Sequence, residues 1–525
     1  MNIAEILITK ARETPQFPAL IATSRGRDRV LTFADLDRLT AQAAALLHAK
    51  GLRPGHAVLV FQPMSIELYV ALLAIFRLGL VAMFLDPSAG REHIERCCSI
   101  VPPRGFVGSA KAHWLRLISP SLRRIPQKFA IGCPMPGAVS WSRMEREQGR
   151  AEMESVGADA PALITFTSGS TGEPKAAVRT HGFLIAQHEV LHRSIALCPG
   201  EVDLSTLPIF VLANLASGVT SVIADANLRR PGTIDPRPVL RQIHRHRPSR
   251  MAASPAFLER LVGCCEAENQ PMDSFTKIYT GGGPVFPALL ERLQRCALNA
   301  DVVAVYGSTE AEPIAHCSCA EIDAADWLAM QQGRGLLAGK PVPEIVVRIV
   351  PDQWGTPIPT QTQADFEQQW LAAGEAGEIV VHGAHVLQGY LHGRGDEETK
   401  MQAAGETWHR TGDAGFFDAA GRLWLVGRCA ARIRDARGTL YPMPAEAVAR
   451  QFSWVRQCAL VGLRERRVLV LESNRPTEAD QLNALRQVLL PLGVDAVRVV
   501  KRIPVDPRHN AKIDYPRLHR MLGSF

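Results

Sequence analysis

The chain is expected to be an α/β protein, and three features of its 525 residues point there. Helical and strand patterns alternate through roughly the first 160 residues, as in a sheet with helices on its faces. Runs of β-branched residues end repeatedly in Gly/Ser/Thr turns, the arrangement that presents loops at the carboxyl ends of strands. Composition allows a large core, with 46% apolar and 21% charged residues, and the length exceeds one ordinary domain.

The amino terminus, Met1-Asn-Ile-Ala-Glu-Ile-Leu-Ile-Thr-Lys10, carries an early acid and no small-residue cleavage site, so it reads as a helix and not a signal peptide. Residues 33–48 read as a helix, 57–61 as a strand, 66–78 as a helix and 81–85 as a strand. The most hydrophobic run, 69–85, is broken by Arg77 and Gly79 and stops at Asp86-Pro87; a helix followed by a buried strand explains it better than a membrane span. A cytoplasmic protein without a transmembrane segment is expected. The eleven cysteines are scattered, and Cys317-x-Cys319 has the wrong spacing for a zinc site, so they read as reduced thiols. No catalytic constellation precedes Thr165.

The first chemical motif is Ala162-Leu-Ile-Thr-Phe-Thr-Ser-Gly-Ser-Thr-Gly-Glu-Pro-Lys-Ala176. Residues 163–167 read as a strand. Gly169 and Gly172 let successive N–H groups converge on one anion, Thr167, Ser168, Ser170 and Thr171 add hydroxyl donors, and Lys175 adds a full positive charge. No Gly-Lys-Ser/Thr closes the loop, so it is not a Walker A sequence. Ile278-Tyr-Thr-Gly-Gly-Gly-Pro284 follows, where Gly281, Gly282 and Gly283 before Pro284 would let a flat ligand lie against backbone. Val302-Val-Ala-Val-Tyr-Gly-Ser-Thr-Glu310 reads as a strand delivering Tyr306 to a turn that carries Thr309 and Glu310; a carboxylate there is a natural hard-oxygen ligand for Mg²⁺ on phosphates. Thr411-Gly-Asp413 and Gly421-Arg-Leu-Trp-Leu-Val-Gly-Arg428 come next. One carboxylate can accept both hydrogens of a ribose diol, which makes Asp413 the expected ribose ligand, backed by Arg428. Near the end stands Pro504-Val-Asp-Pro-Arg-His-Asn-Ala-Lys512.

These motifs, in this order over roughly residues 20 to 515, resemble the acyl-adenylate-forming enzymes, which include acyl-CoA synthetases, luciferases, peptide-synthetase adenylation domains and β-lactone synthetases. The resemblance implies a large two-sheet amino-terminal region with a β-barrel-like subdomain (1–428) and a small mobile α+β carboxyl-terminal domain (429–525). It implies ATP and Mg²⁺, with adenine beside Gly281–Pro284 and Tyr306, Thr309 on the α-phosphate, Glu310 on the metal, and Lys512 between the acyl carboxylate and the α-phosphate, where one cation lowers their mutual repulsion. Tyr306-Gly-Ser-Thr-Glu-Ala-Glu-Pro-Ile-Ala315, Thr439-Leu-Tyr-Pro-Met-Pro-Ala-Glu446 and the stretch ending at Lys512 look most like the β-lactone synthetases of olefin biosynthesis. A fatty, 3-hydroxy acid would then be activated and closed to a lactone. Transfer to CoA is the alternative second step, and a catalytically idle nucleotide or acyl binder is the alternative of another class.

Two positions depart from the family pattern. Val211 stands where a histidine is usual after the Leu207-Pro208 pair, which fits either an apolar acyl pocket or ordinary core. Ala430 stands at the hinge position, usually acidic or lysine. The net charge of +7 gathers beyond residue 428, where 17 Lys and Arg face 9 Asp and Glu, as suits a small unit covering a polyanion. No aromatic-basic interleaving accompanies it there, so no nucleic-acid partner is expected. Chain length of the acid and oligomeric state are left open by these residues.

Overall fold

The computed structural model describes every residue except 1, 25, 87–89, 148–150, 169–172, 506–512 and 524–525. Its chain gathers into two compact units, one of Met1–Leu228, Gln242–Arg250 and Leu387–Asp396, the other of Arg229–Arg241, Met251–Val386 and Glu397–Phe525.

In the first unit, strands β1 (Pro18–Ser24), β2 (Arg27–Thr32), β3 (Ala57–Phe61), β4 (Val81–Phe84), β5 (Gly105–Ser109), β6 (Gln127–Ile131), β7 (Val139–Ser140), β8 (Pro161–Ser168), β9 (Pro174–Thr180), β10 (Val202–Ser205) and β11 (Thr220–Ile223) alternate with helices α1 (Ala4–Glu13), α2 (Phe33–Ala49), α3 (Ile66–Arg77), α4 (Arg91–Ile100), α5 (Ala110–His113), α6 (Pro120–Arg124), α7 (His181–Ser194) and α8 (Pro208–Ser217). A seven-stranded sheet runs β7-β6-β5-β3-β4-β8-β9. All its pairs are parallel except β8–β9. Every residue of β3 is buried, the continuous apolar reading expected of a strand covered on both faces. The run 69–85 is helix α3, capped by the Ser65 hydroxyl, and strand β4 behind it. Val211 and Leu215 of α8 share one core with Leu20, Phe33, Tyr69, Phe76 and Phe129. A second strand group runs β10-β11-β1-β2.

The second unit holds β12 (Arg250–Ala253), β13 (Lys277–Gly281), β14 (Asp301–Ser308), β15 (Ala311–Ser318), β16 (Leu336–Pro341), β17 (Val346–Val350), β18 (Gly377–His382), β19 (Lys400–Ala403), β20 (Glu406–Phe417) and β21 (Leu423–Arg428). The strand order is β17-β18-β20-β21-β16-β15-β14-β13-β12, with β19 alongside β20. From β14 to β17 every pairing is antiparallel. This antiparallel part was expected to be barrel-like; among the described residues it is an open path in which no pair joins β17 to the far end.

Beyond Arg428 come a hairpin, β22 (Ile433–Asp435) with β23 (Gly438–Leu440), and a sheet of β24 (Val455–Leu463), β25 (Arg466–Ser473) and β26 (Ala496–Val500). Alternate residues of this sheet enter two different cores: Leu460, Leu469 and Leu471 pack on Leu485, while Val461 and Val470 pack on Ile503 and Leu518. The period of two thus covers the sheet on both faces. Among the described residues no helix is long and apolar enough to cross a membrane.

Candidate active site

In the first unit, β8 and β9 form an antiparallel hairpin that sets Thr167 opposite Lys175. The loop between them contains Gly169, Ser170, Thr171 and Gly172, which lie outside the described residues, as does the Ser168 side chain. Lys175 is buried, and its Nζ lies 3.4 Å from the carbonyl oxygen of Gly395 and 5.9 Å from the centre of the Tyr390 ring. Gly395 has φ +97°, and a Cβ there would run into the Lys175 side chain. The adjoining turn is held by Tyr390 N–H donating to Asp396 Oδ1 at 2.9 Å. Tyr390, Gly395 and Asp396 lie more than two hundred residues from the lysine they pack beside, so local pattern gave no sign of them.

In the second unit, three expected residues meet. Asp413 on β20 and Arg428 on β21 are cross-strand partners, and Arg428 Nη1 donates to Asp413 Oδ1 at 2.7 Å. Tyr306, from β14, donates its hydroxyl to Asp413 Oδ2 at 3.0 Å. Burial, then the Asp413 charge, raises the tyrosine's pKa well above its ordinary value and keeps the hydroxyl a donor. The same carboxylate raises the pKa of Arg428. The Thr411 hydroxyl accepts from Asp413 N–H at 3.1 Å and donates to Ile379 O at 2.9 Å, fixing the strand beneath the carboxylate.

Thr309 and Glu310 form the two-residue turn between β14 and β15; Thr309 is exposed and Glu310 half-buried. Ser308 shapes that turn, its hydroxyl accepting from both Glu310 N–H and Ala311 N–H at 3.2 Å. Below it, His409 is fully buried; burial first, then Lys400 at 3.2 Å, push its pKa down to about 3, while the Glu310 charge acts the other way. Among the described residues no three His, Cys, Asp or Glu side chains form a metal cluster. A single carboxylate ligand is enough for Mg²⁺, which keeps most of its waters and phosphate ligands when bound by protein, so Glu310 on this turn fits the ion.

The glycine turn divides. A Cβ on Gly281, the last residue of β13, would strike the Val305 carbonyl of the neighbouring strand, so this glycine answers sheet packing. Gly282, at φ +77°, has open space where a Cβ would point; Gly283 and Pro284 follow it outside regular structure. Val211 is fully buried and does not line the apolar cavity of about 50 Å³ between α1, α3, α7 and α8, to which its neighbours Leu212 and Ala213 contribute. The structure therefore makes Val211 core. Lys512 lies outside the described residues.

Tyr306, the carboxylate turn and the Thr–Lys hairpin fall inside residues 7–391, which match the model for AMP-binding enzymes, while Asp413 and Arg428 lie beyond that stretch. The chain belongs to the AMP-binding enzyme family. It is an acyl-adenylate-forming enzyme. It is 32% identical to an olefin β-lactone synthetase of Stenotrophomonas maltophilia, over 98% of this chain and 97% of that protein. An indoleacetate–CoA ligase of Aromatoleum aromaticum is 28% identical over 84% of this chain and 82% of its own. The fold matches that of the anthranilate CoA ligase AuaEII in complex with anthranoyl-AMP, with a TM-score of 0.84, 18% identity and coverage of 100% and 98%.

Proposed function

We propose that the enzyme activates a fatty 3-hydroxy acid as its acyl adenylate and closes it to a β-lactone. The observation that carries this reading is the 32% identity to an olefin β-lactone synthetase along nearly the whole of both chains. In the first step an oxygen of the carboxylate attacks the α-phosphorus of ATP and pyrophosphate leaves. In the second the substrate's own β-hydroxyl oxygen bonds to the acyl carbon, the acyl–phosphate C–O bond breaks, AMP departs and the hydroxyl proton passes to solvent. Holding the chain bent makes this ring closure intramolecular, which removes the need for a thiol.

The side chains take the roles that the family resemblance implies for them. Asp413, held from two sides by Arg428 and Tyr306, would accept the ribose hydroxyls. The open space over Gly282 suits adenine. Thr167 to Gly172 and Lys175 would hold the phosphates, and Thr309 the α-phosphate. Glu310 would hold Mg²⁺, which supplies neutralising charge on those phosphates. Lys512 would stabilise charge building at phosphorus, carried there by residues 429–525 acting as a lid.

The test supplies purified protein with ATP, Mg²⁺ and a 2-alkyl-3-hydroxy fatty acid. Lactone and AMP are expected in equal amounts without CoA, and Lys512→Ala should abolish acid-dependent exchange of labelled pyrophosphate into ATP. Product formation that strictly requires CoA would replace the lactone reading with thioester synthesis, the second reading, which the similarity to a CoA ligase favours.

A further inference from the structure

Charge and apolar exposure coincide in one stretch of the first unit that carries none of the expected site residues. Residues 96–144 contain eight Lys and Arg and no Asp or Glu. The basic tail already accounts for the net charge of the chain, so this stretch is a second basic region set in an otherwise acidic remainder. Within it, the 3₁₀ turn Trp114–Leu117 lies between the short helices α5 and α6. Trp114, Leu117 and Ile118 are 62%, 67% and 52% exposed, three large apolar side chains within five residues.

The platform beneath them is rigidly held. His113 is buried, its Nε2 3.0 Å from Phe129 O and its ring against Phe106. Arg123 donates through Nε to Arg116 O at 3.2 Å and through Nη2 to Leu117 O at 3.0 Å. Glu95, the acid that touches this platform, is turned onto the Ser119 and Ser121 hydroxyls. Lys111 and Arg124, which precede and follow the apolar trio in the chain, are exposed.

We infer that this surface docks the enzyme on an anionic lipid membrane. A tryptophan with adjacent aliphatic side chains sits well at headgroup depth, and flanking cations add attraction to acidic headgroups. A second copy of the chain fits poorly, because a two-fold interface would set this basic patch against itself. Trp114 is the one ring of the trio, whereas a single-strand binder presents successive rings for successive bases, and Leu117 and Ile118 supply none.

The full-length protein is sedimented with vesicles of phosphatidylcholine alone, or of equal parts phosphatidylcholine and phosphatidylglycerol. Partition to the mixed vesicles should be at least about tenfold greater and should fall with added salt. The triple variant Trp114→Ser/Leu117→Ser/Ile118→Ser should lose about tenfold or more of that partition. Lys111→Gln with Arg124→Gln, which leaves the fold untouched, should lose about tenfold on mixed vesicles only. Both variants should keep the parent rate of pyrophosphate exchange. Equal binding to both vesicle types, undiminished binding by the charge variant, tighter binding to duplex DNA than to vesicles, or an altered oligomeric state with vesicle binding intact would each overturn the proposal.

Discussion

Two arginine–carboxylate pairs involve strand β20 within four residues of each other, and they are built in opposite ways. Arg410 and Glu378 have fully buried side chains; the guanidinium gives Nε and Nη2 to the two carboxylate oxygens at 2.9 and 2.8 Å, and Nη1 to Thr356 O at 2.7 Å. Arg428 meets Asp413 through Nη1 alone, and its side chain is 52% exposed. The first pair is buried and bidentate, and it holds β18 to β20. The second keeps hydrogen-bonding capacity turned outward, which a pair that only braced a sheet would not need.

The comparison is broken most forcefully at the buried pair. Glu378→Ala strands a buried guanidinium without its carboxylate partner, and a loss of about 3 to 5 kcal/mol is expected in denaturant unfolding. Glu378→Leu combined with Arg410→Met should restore much of that loss. A single variant within about 1 kcal/mol of the parent would show that the pair is solvated in the folded state.

A third carboxylate sharpens the contrast because it is buried against neutral donors. Glu446 accepts from the Tyr515 hydroxyl at 2.8 Å and from Leu460 N–H at 3.1 Å, and burial pushes its pKa up to about 7. The folded value exceeds the ordinary 4.5, so the native state holds the proton over a range where the unfolded chain has released it. Its contribution to stability is complete below about pH 4.5 and is lost as pH rises to about 7, amounting to roughly 3 kcal/mol at most. Glu446→Gln should flatten the stability profile across that window. Parallel profiles for parent and variant would mean that Glu446 titrates normally.

The same contrast explains which parts of the molecule were legible in the chain. Strand β3 and helix α3 announce themselves because their signal is local: every residue of one is apolar, and the other has a Ser65 cap before a continuous apolar run. Asp413, Arg428 and Tyr306 were legible as motifs, and the structure adds that they touch. Glu378 and Arg410 were not, since an acid in a turn-strand sequence becomes a buried ion-pair partner only once β18 and β20 are paired. Gly281 looked like a ligand-facing residue because the Val305 carbonyl that excludes its side chain belongs to the next strand, 24 residues on. Strand β9 was hidden by Glu173-Pro174, which reads as loop; Lys400 and His409 carry no motif at all, and Ser308, though inside the Tyr306–Glu310 motif, gave no sign that its hydroxyl shapes the turn.

At the open pair the expected losses are catalytic. Asp413→Asn keeps the shape of the side chain and removes the charge that Arg428 and Tyr306 both address. A fall of about a hundredfold in kcat/KM for ATP is expected in pyrophosphate exchange, with unfolding stability changed by less than about 1 kcal/mol. An equal loss of stability would place Asp413 with Glu378 as a structural acid.

Tyr306→Phe makes the smallest and most discriminating change. The ring remains in its buried position, and one neutral donor to Asp413 Oδ2 disappears while Arg428 still holds Oδ1. A net cost of about 1 kcal/mol, or roughly fivefold in KM for ATP with kcat nearly unchanged, follows if the hydroxyl only orients the carboxylate. A loss as large as that of Asp413→Asn would mean that Arg428 alone cannot keep the acid in place, so that the exposed pair is held from its buried side. A loss in kcat at constant KM would move Tyr306 from positioning the nucleotide to stabilising the reacting phosphorus, and the division between a bracing pair and a binding pair on this sheet would have to be redrawn.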